Sequence, residues 1–116
     1  MRVIVGMATF KGREKAVDKA CKSLSKQVDL IYLYDNEQNE DLADNGKFYG
    51  LELEKEPCIY LSCDDDLLYP SGYIQYMISK STQYNSIVTL HGRRYNRPIV
   101  AFKRGFNLNY HCLHSY

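Results

Sequence analysis

The sequence has no tryptophan, only three prolines and no Cys-x-x-Cys pair among Cys21, Cys58, Cys63 and Cys112. A structural zinc site of the usual paired spacing therefore has no support. No apolar run approaches the ~20 residues of a membrane-spanning helix. Charge of one sign is also missing: fifteen basic residues face fourteen acidic ones, for a net charge of +1. That balance leaves no long-range field to draw in nucleic acid or an anionic membrane, so neither is an expected partner. No leader pattern precedes the strand-like opening RVIVGMATF. Reduced cysteines and a cytoplasmic location are therefore the expectation. What is abundant is tyrosine, eleven residues against four phenylalanines. Tyrosines often line ligand surfaces, but a count by itself locates no site.

At 116 residues the chain has the length of one domain. Residues 2–8 (RVIVGMA) form a near-continuous apolar run, the pattern of a strand buried on both faces in a parallel sheet. A turn over Thr9–Gly12 precedes a predicted amphipathic helix at 13–27. Ala16, Val17, Ala20, Cys21 and Leu24 share its apolar stripe, with Lys15, Asp18, Lys19 and Lys22 off it. A second strand is predicted at 29–34, ending at Asp35. Residues 36–47 (NEQNEDLADNGK) read as a polar loop with room for one helical turn, and 48–53 fit either helix or strand. A third strand at 58–63 leads into the acids. Pro70 and Ser71 mark a helix start, with Ser71 as its N-cap and Ile74, Met77, Ile78 and Ser81 at helical spacing. A fourth strand follows at 86–91. This alternation predicts an α/β fold with a twisted, mostly parallel sheet.

The most informative stretch is CIYLSCDDDLLYP, residues 58–70. Adjacent carboxylates resist joint ionisation. Apolar flanks (Ile59 and Leu61 before, Leu67 and Leu68 after) set these at the rim of a core. A divalent cation relieves such repulsion, and Mg2+ or Mn2+ takes carboxylate oxygens. In open parallel sheets, ligands bind beyond the carboxyl ends of the strands. Thr9, Asp35 and Asp64–Asp66 are all predicted at such ends.

These pieces, taken in order, resemble the donor-binding half of a family-2-like glycosyltransferase with the GT-A fold. The matching segments are VGMATFKGR (5–13), LYDNE (33–37), DNGKFYGL (44–51), CDDDLLYPSGYI (63–74) and VTLHG (88–92). The resemblance implies a Rossmann-like nucleotide-sugar-binding core over 1–92. It implies that Thr9, Phe10 and Arg13 face the nucleotide and that Asp35 hydrogen-bonds the base or ribose. Lys47 falls where the family places a basic residue near the diphosphate. Asp64, Asp65 and Asp66 match its D-x-D motif, which implies Asp66 as metal ligand, Asp64 directed to the ribose, the metal or a metal-bound water, and Asp65 among the nucleotide-sugar contacts. Mn2+ or Mg2+ is the implied cofactor, a nucleotide-diphospho-sugar the donor, and a glycan or other hydroxyl compound the acceptor.

The same family needs an acceptor lobe with a general base. No acidic side chain follows Asp66, which leaves His91, His111 and His114 as later candidates. The resemblance therefore predicts a missing or truncated acceptor lobe. Residues 93–116 are then either the start of that lobe or an edge hairpin with Ile99–Phe102 as a strand. Ile99, Phe102, Phe106 and Leu108 would be left uncovered, which predicts self-association or a mobile tail. A non-catalytic nucleotide-binding or scaffolding module is the alternative to an enzyme. A phospho-receiver domain would place acids after the first strand, where this chain has Met7-Ala8-Thr9. A nucleotidyltransferase would carry a Gly- and Arg-rich turn there, of which only Gly12 and Arg13 are present.

Overall fold

The computed structural model describes residues 1–92 and the backbone of 110–115. The chain divides into two compact units, 1–74 and 75–116. The first contains β1 (Arg2–Thr9), α1 (Glu14–Leu24), β2 (Leu30–Asp35), a 3-10 helix (Ala43–Phe48), α2 (Tyr49–Leu53) and β3 (Cys58–Cys63). Its three strands form a parallel sheet in the order β2-β1-β3. The architecture is α/β, with helices flanking a parallel sheet. The apolar run of β1 lies at the centre, and Ile4, Val5 and Met7 are fully buried.

Side chains alternate across a strand, so Val5 and Met7 point away from the face that carries Ile4, Gly6 and Ala8. On α1 the buried residues are Val17, Ala20 and Leu24, the centre of the predicted stripe. The helix ends at Leu24, three residues before the predicted end, where Gln27 N–H turns back to the Leu24 carbonyl at 2.8 Å. The Gln27 side chain then serves a distant segment. Its Nε2 donates to the Pro70 carbonyl at 3.0 Å, and its Oε1 accepts from the Ile74 N–H at 3.1 Å. The start of α3 (Tyr73–Tyr84) is thus capped by Gln27 rather than by the predicted Ser71. Gly72 turns the chain into that helix with φ +85°, a conformation that costs glycine little.

The polar stretch read as a loop is a covering layer on the Gly6 face of the sheet. Three strand tyrosines hold it. Tyr34 donates its hydroxyl to the Glu40 carbonyl at 2.7 Å, Tyr60 to the Lys47 carbonyl at 2.6 Å, and Tyr32 to the Glu54 carboxylate at 2.8 Å. Glycines make the approach close enough. A Cβ at Gly6 would overlap the Lys47 carbonyl and the Tyr60 hydroxyl, one at Gly46 would meet the Tyr34 ring, and one at Gly50 the Tyr32 ring. The tyrosine excess in the sequence is thereby partly spent on fastening this segment.

In the second unit, β4 (Ile87–Gly92) pairs in parallel with β5 (Tyr110–Ser115). The sequence pattern assigns residues 86–91 to the main sheet. Instead, β4 and β5 form a two-stranded sheet of their own. The predicted Ile99–Phe102 strand, and the apolar side chains tied to self-association, lie outside the described residues. Among the described residues no helix is long and apolar enough to cross a membrane.

Candidate functional site

The sheet register brings the predicted strand ends together. Thr9 lies opposite Asp35 across β1 and β2, and Met7 lies opposite Cys63 across β1 and β3. Asp64 follows Cys63 directly. Thr9, Asp35 and the acidic turn therefore line the carboxyl end of three adjacent parallel strands, the position where open α/β sheets bind ligands.

Two cations meet this turn. Arg13, just ahead of α1, donates through Nη1 to Asp65 Oδ1 at 2.9 Å. Its guanidinium carbon sits 5.4 Å from the centre of the Phe10 ring, within cation–π range. Asp65 is 3% exposed, and its second oxygen, Oδ2, is buried without a hydrogen-bond partner among the described residues. Lys47 arrives from the 3-10 helix, and its Nζ lies 3.0 Å from Asp64 Oδ1. Two of the three consecutive acids are thus neutralised by the chain itself. The third, Asp66, is exposed, and its carboxylate makes no hydrogen bond or ion pair among the described residues.

The turn is further fixed by Tyr69, whose hydroxyl accepts from the Asp64 N–H at 2.7 Å. The Tyr69 backbone N–H in turn donates to Ser23 Oγ on α1 at 3.1 Å. Burial pushes the Tyr69 hydroxyl well above the ordinary tyrosine range. Burial likewise pushes the Cys63 thiol up to about 11, against a partial lowering from Tyr69. Cys63 is consequently an inert packing thiol rather than a nucleophile.

Asp35 does a local job at the end of β2. Its Oδ1 accepts from the Glu37 N–H at 2.9 Å and from the Gln38 N–H at 3.4 Å, closing a turn. The residue is half-buried. The neighbouring Asn36 was not singled out from the sequence, yet it organises the approach of the covering layer. It is 6% exposed, donates to the Thr9 and Ala43 carbonyls at 3.3 and 3.1 Å, and accepts from the Leu42 N–H at 2.8 Å. An amide directly after a strand-ending acid was the available signal.

Among the described residues, no three His, Cys, Asp or Glu side chains group so as to hold a metal ion. A cation at this turn would have one or two protein carboxylates, Asp66 and Asp64. That donor set suits Mg2+ or Mn2+, which often keep water and substrate phosphate oxygens as their remaining ligands. His91 is on β4 in the second unit; His111 and His114 are on β5, where only the backbone is described. No protein-family model matches the chain, and no curated protein matches it.

Proposed function

We propose that this chain is a glycosyltransferase of the GT-A type, or the donor-binding half of one. It binds a nucleotide-diphospho-sugar at the carboxyl end of its parallel sheet, for transfer of the sugar to a hydroxyl acceptor. The observation that carries the reading is the meeting of Arg13, Lys47 and the Asp64–Asp66 turn beside Thr9 and Asp35.

In the transfer, the bond between the sugar carbon and the diphosphate oxygen breaks as the acceptor oxygen bonds to that carbon, and the acceptor's hydroxyl proton passes to a general base that an acceptor lobe would supply. The diphosphate leaves with the electron pair and gains negative charge. Arg13 and Lys47 supply positive charge where that develops, already oriented by their carboxylate partners. Asp66, with Asp64, would hold Mg2+ or Mn2+, which when bound supplies further charge stabilisation to the leaving diphosphate. Thr9 and Phe10 flank the nucleotide, and Asp35 meets its base or ribose.

Calorimetric titration of UDP and GDP, in Mn2+ and in EDTA, tests the reading. Binding should be far tighter with the metal. Asp35→Ala should weaken nucleotide binding yet keep its metal dependence. Equal affinity in Mn2+ and EDTA would remove the metal role, and no binding of either nucleotide would remove the donor site. Binding without sugar transfer to any hydroxyl acceptor would leave a nucleotide-binding module in place of an enzyme.

A further inference from the structure

We propose that Asp65 is a positioning residue: it does not touch the donor, but fixes the Arg13 guanidinium so that the outward side of its fork receives the diphosphate. This rests on the nucleotide-diphosphate reading of the site given above. It reassigns Asp65 from the nucleotide contact that the D-x-D resemblance implies.

The two partners differ sharply in exposure. The Asp65 side chain is 3% exposed and the Arg13 side chain 46%. A carboxylate that deep has little surface to offer a ligand, whereas half of the arginine faces solvent beside the strand ends. Arg13 uses Nη1 on Asp65, and its other guanidinium N–H groups make no hydrogen bond among the described residues. Its guanidinium carbon also lies over the Phe10 ring, 5.4 Å from the ring centre. A planar fork held through Nη1 can still present its remaining N–H groups to phosphate oxygens in the paired geometry such groups favour.

Stability alone is a poor account of this pair. Burying the Asp65 charge carries a desolvation cost that a single bond to a half-exposed arginine offsets only in part, and Asp65 Oδ2 has no hydrogen-bond partner among the described residues. An unsatisfied buried carboxylate oxygen calls for a reason other than packing. Orientation of Arg13 is such a reason. Lys47 forms the contrast: its partner Asp64 is 55% exposed, and its ammonium is a point charge that needs no directional clamp.

The test is calorimetric titration of the full chain with UDP and, separately, with inorganic pyrophosphate, both in Mn2+. Arg13→Gln and Asp65→Asn should each weaken both probes by about tenfold, the scale of one charge-assisted hydrogen bond. The double variant should be no weaker than Arg13→Gln alone, because both changes remove the same contact. Arg13→Lys keeps the charge at a half-exposed position and loses the fork; it should bind both probes more weakly than the wild type. It also decides the matter if Asp65→Asn does not fold. Wild-type affinity in Asp65→Asn or in Arg13→Lys would overturn the proposal. So would multiplying losses in the double variant, or an Asp65→Asn loss confined to UDP, since either would place Asp65 on the nucleotide. Pyrophosphate binding that responds to both residues, with no UDP binding, would sink the nucleotide reading and keep the positioning role. A chain that binds neither probe would end both.

Discussion

The two cations at the acidic turn are held by opposite means. Arg13 stands at the head of α1, a helix seated through Val17, Ala20 and Leu24, and its charge is fixed by a buried acid. Lys47 rides on a 3-10 helix with one buried residue, Gly46, and its backbone is held by the Tyr60 hydroxyl. One side is apolar packing, non-directional and proportional to area. The other is a set of single hydrogen bonds across close glycine contacts. A charge that must point in one direction sits on the stiff side, and a point charge sits on the latched side.

The comparison breaks most visibly in the two supports themselves. Leu24 is fully buried. Leu24→Ala should cost about 3 kcal/mol in urea unfolding, toward the lower end of the range for a buried leucine. Gly6→Ala should cost about as much, because the added methyl meets the Lys47 carbonyl and the Tyr60 hydroxyl and must lift the covering layer. The two should separate in ligand binding. Folded Leu24→Ala should keep its UDP affinity, whereas Gly6→Ala should lose part of it with the placement of Lys47. Unchanged UDP binding in a destabilised Gly6→Ala protein would show that the latch does not set the lysine.

This difference also decided what could be read from the sequence. The apolar run of β1, the stripe of α1 and the strand leading to Asp64 are periodic signals, and each lies where its pattern puts it. The parallel order then brings Thr9, Asp35 and the acids together without further information. The layer over residues 40–54 has no such period. Its order comes from tyrosine hydroxyls on β2 and β3 reaching carbonyls and a carboxylate, and from glycines at three contact points. Tyrosine abundance was visible, but which hydroxyl meets which carbonyl depends on strand register. The Gln27 cap of α3 was hidden for the same reason, since its partners lie more than forty positions away. Arg13–Asp65 and Lys47–Asp64 are likewise long-range pairs, 52 and 17 residues apart.

A single hydroxyl tests the latch at smaller scale. Tyr60→Phe removes the bond to the Lys47 carbonyl and should cost about 1 kcal/mol. Its pH dependence follows from the hydroxyl groups. Burial raises Tyr60 above the ordinary tyrosine value, against a partial lowering from the Leu51 and Gly50 backbone; burial, then the charge of Glu40, raises Tyr34. The folded state therefore keeps these protons more tightly than the unfolded chain does. Their contribution is fully present below about pH 10, and is lost as pH rises from there through the folded values. Urea midpoints measured from pH 8 to pH 11 should fall at the alkaline end, and less steeply in Tyr60→Phe. An identical alkaline slope in the variant would mean that Tyr60 does not carry this linkage.

The smallest effect on the metal-free fold is expected at Asp66. Asp66 is exposed and its carboxylate makes no hydrogen bond or ion pair among the described residues, so Asp66→Ala should change stability in EDTA by no more than about 0.5 kcal/mol. The sign should favour the variant, because the substitution removes one of three adjacent like charges and breaks no pair. Asp64→Ala and Asp65→Ala would instead strip Lys47 and Arg13 of their partners. The contrast sharpens when ligand is present. With Mn2+ and UDP at a hundredfold excess over Kd, mass action should stabilise the wild-type chain by about 2.7 kcal/mol. In Asp66→Ala the metal-dependent part of that gain should vanish, although the metal-free melting curves of the two proteins nearly coincide. Thermal melts of both proteins in EDTA, in Mn2+ alone and in Mn2+ with UDP separate the outcomes. If Asp66→Ala melts well below the wild type in EDTA, Asp66 is a structural acid with a partner on this fold. If the two proteins gain equally from Mn2+ and UDP, the metal is held by other oxygens, and the third aspartate is a solvated member of the turn.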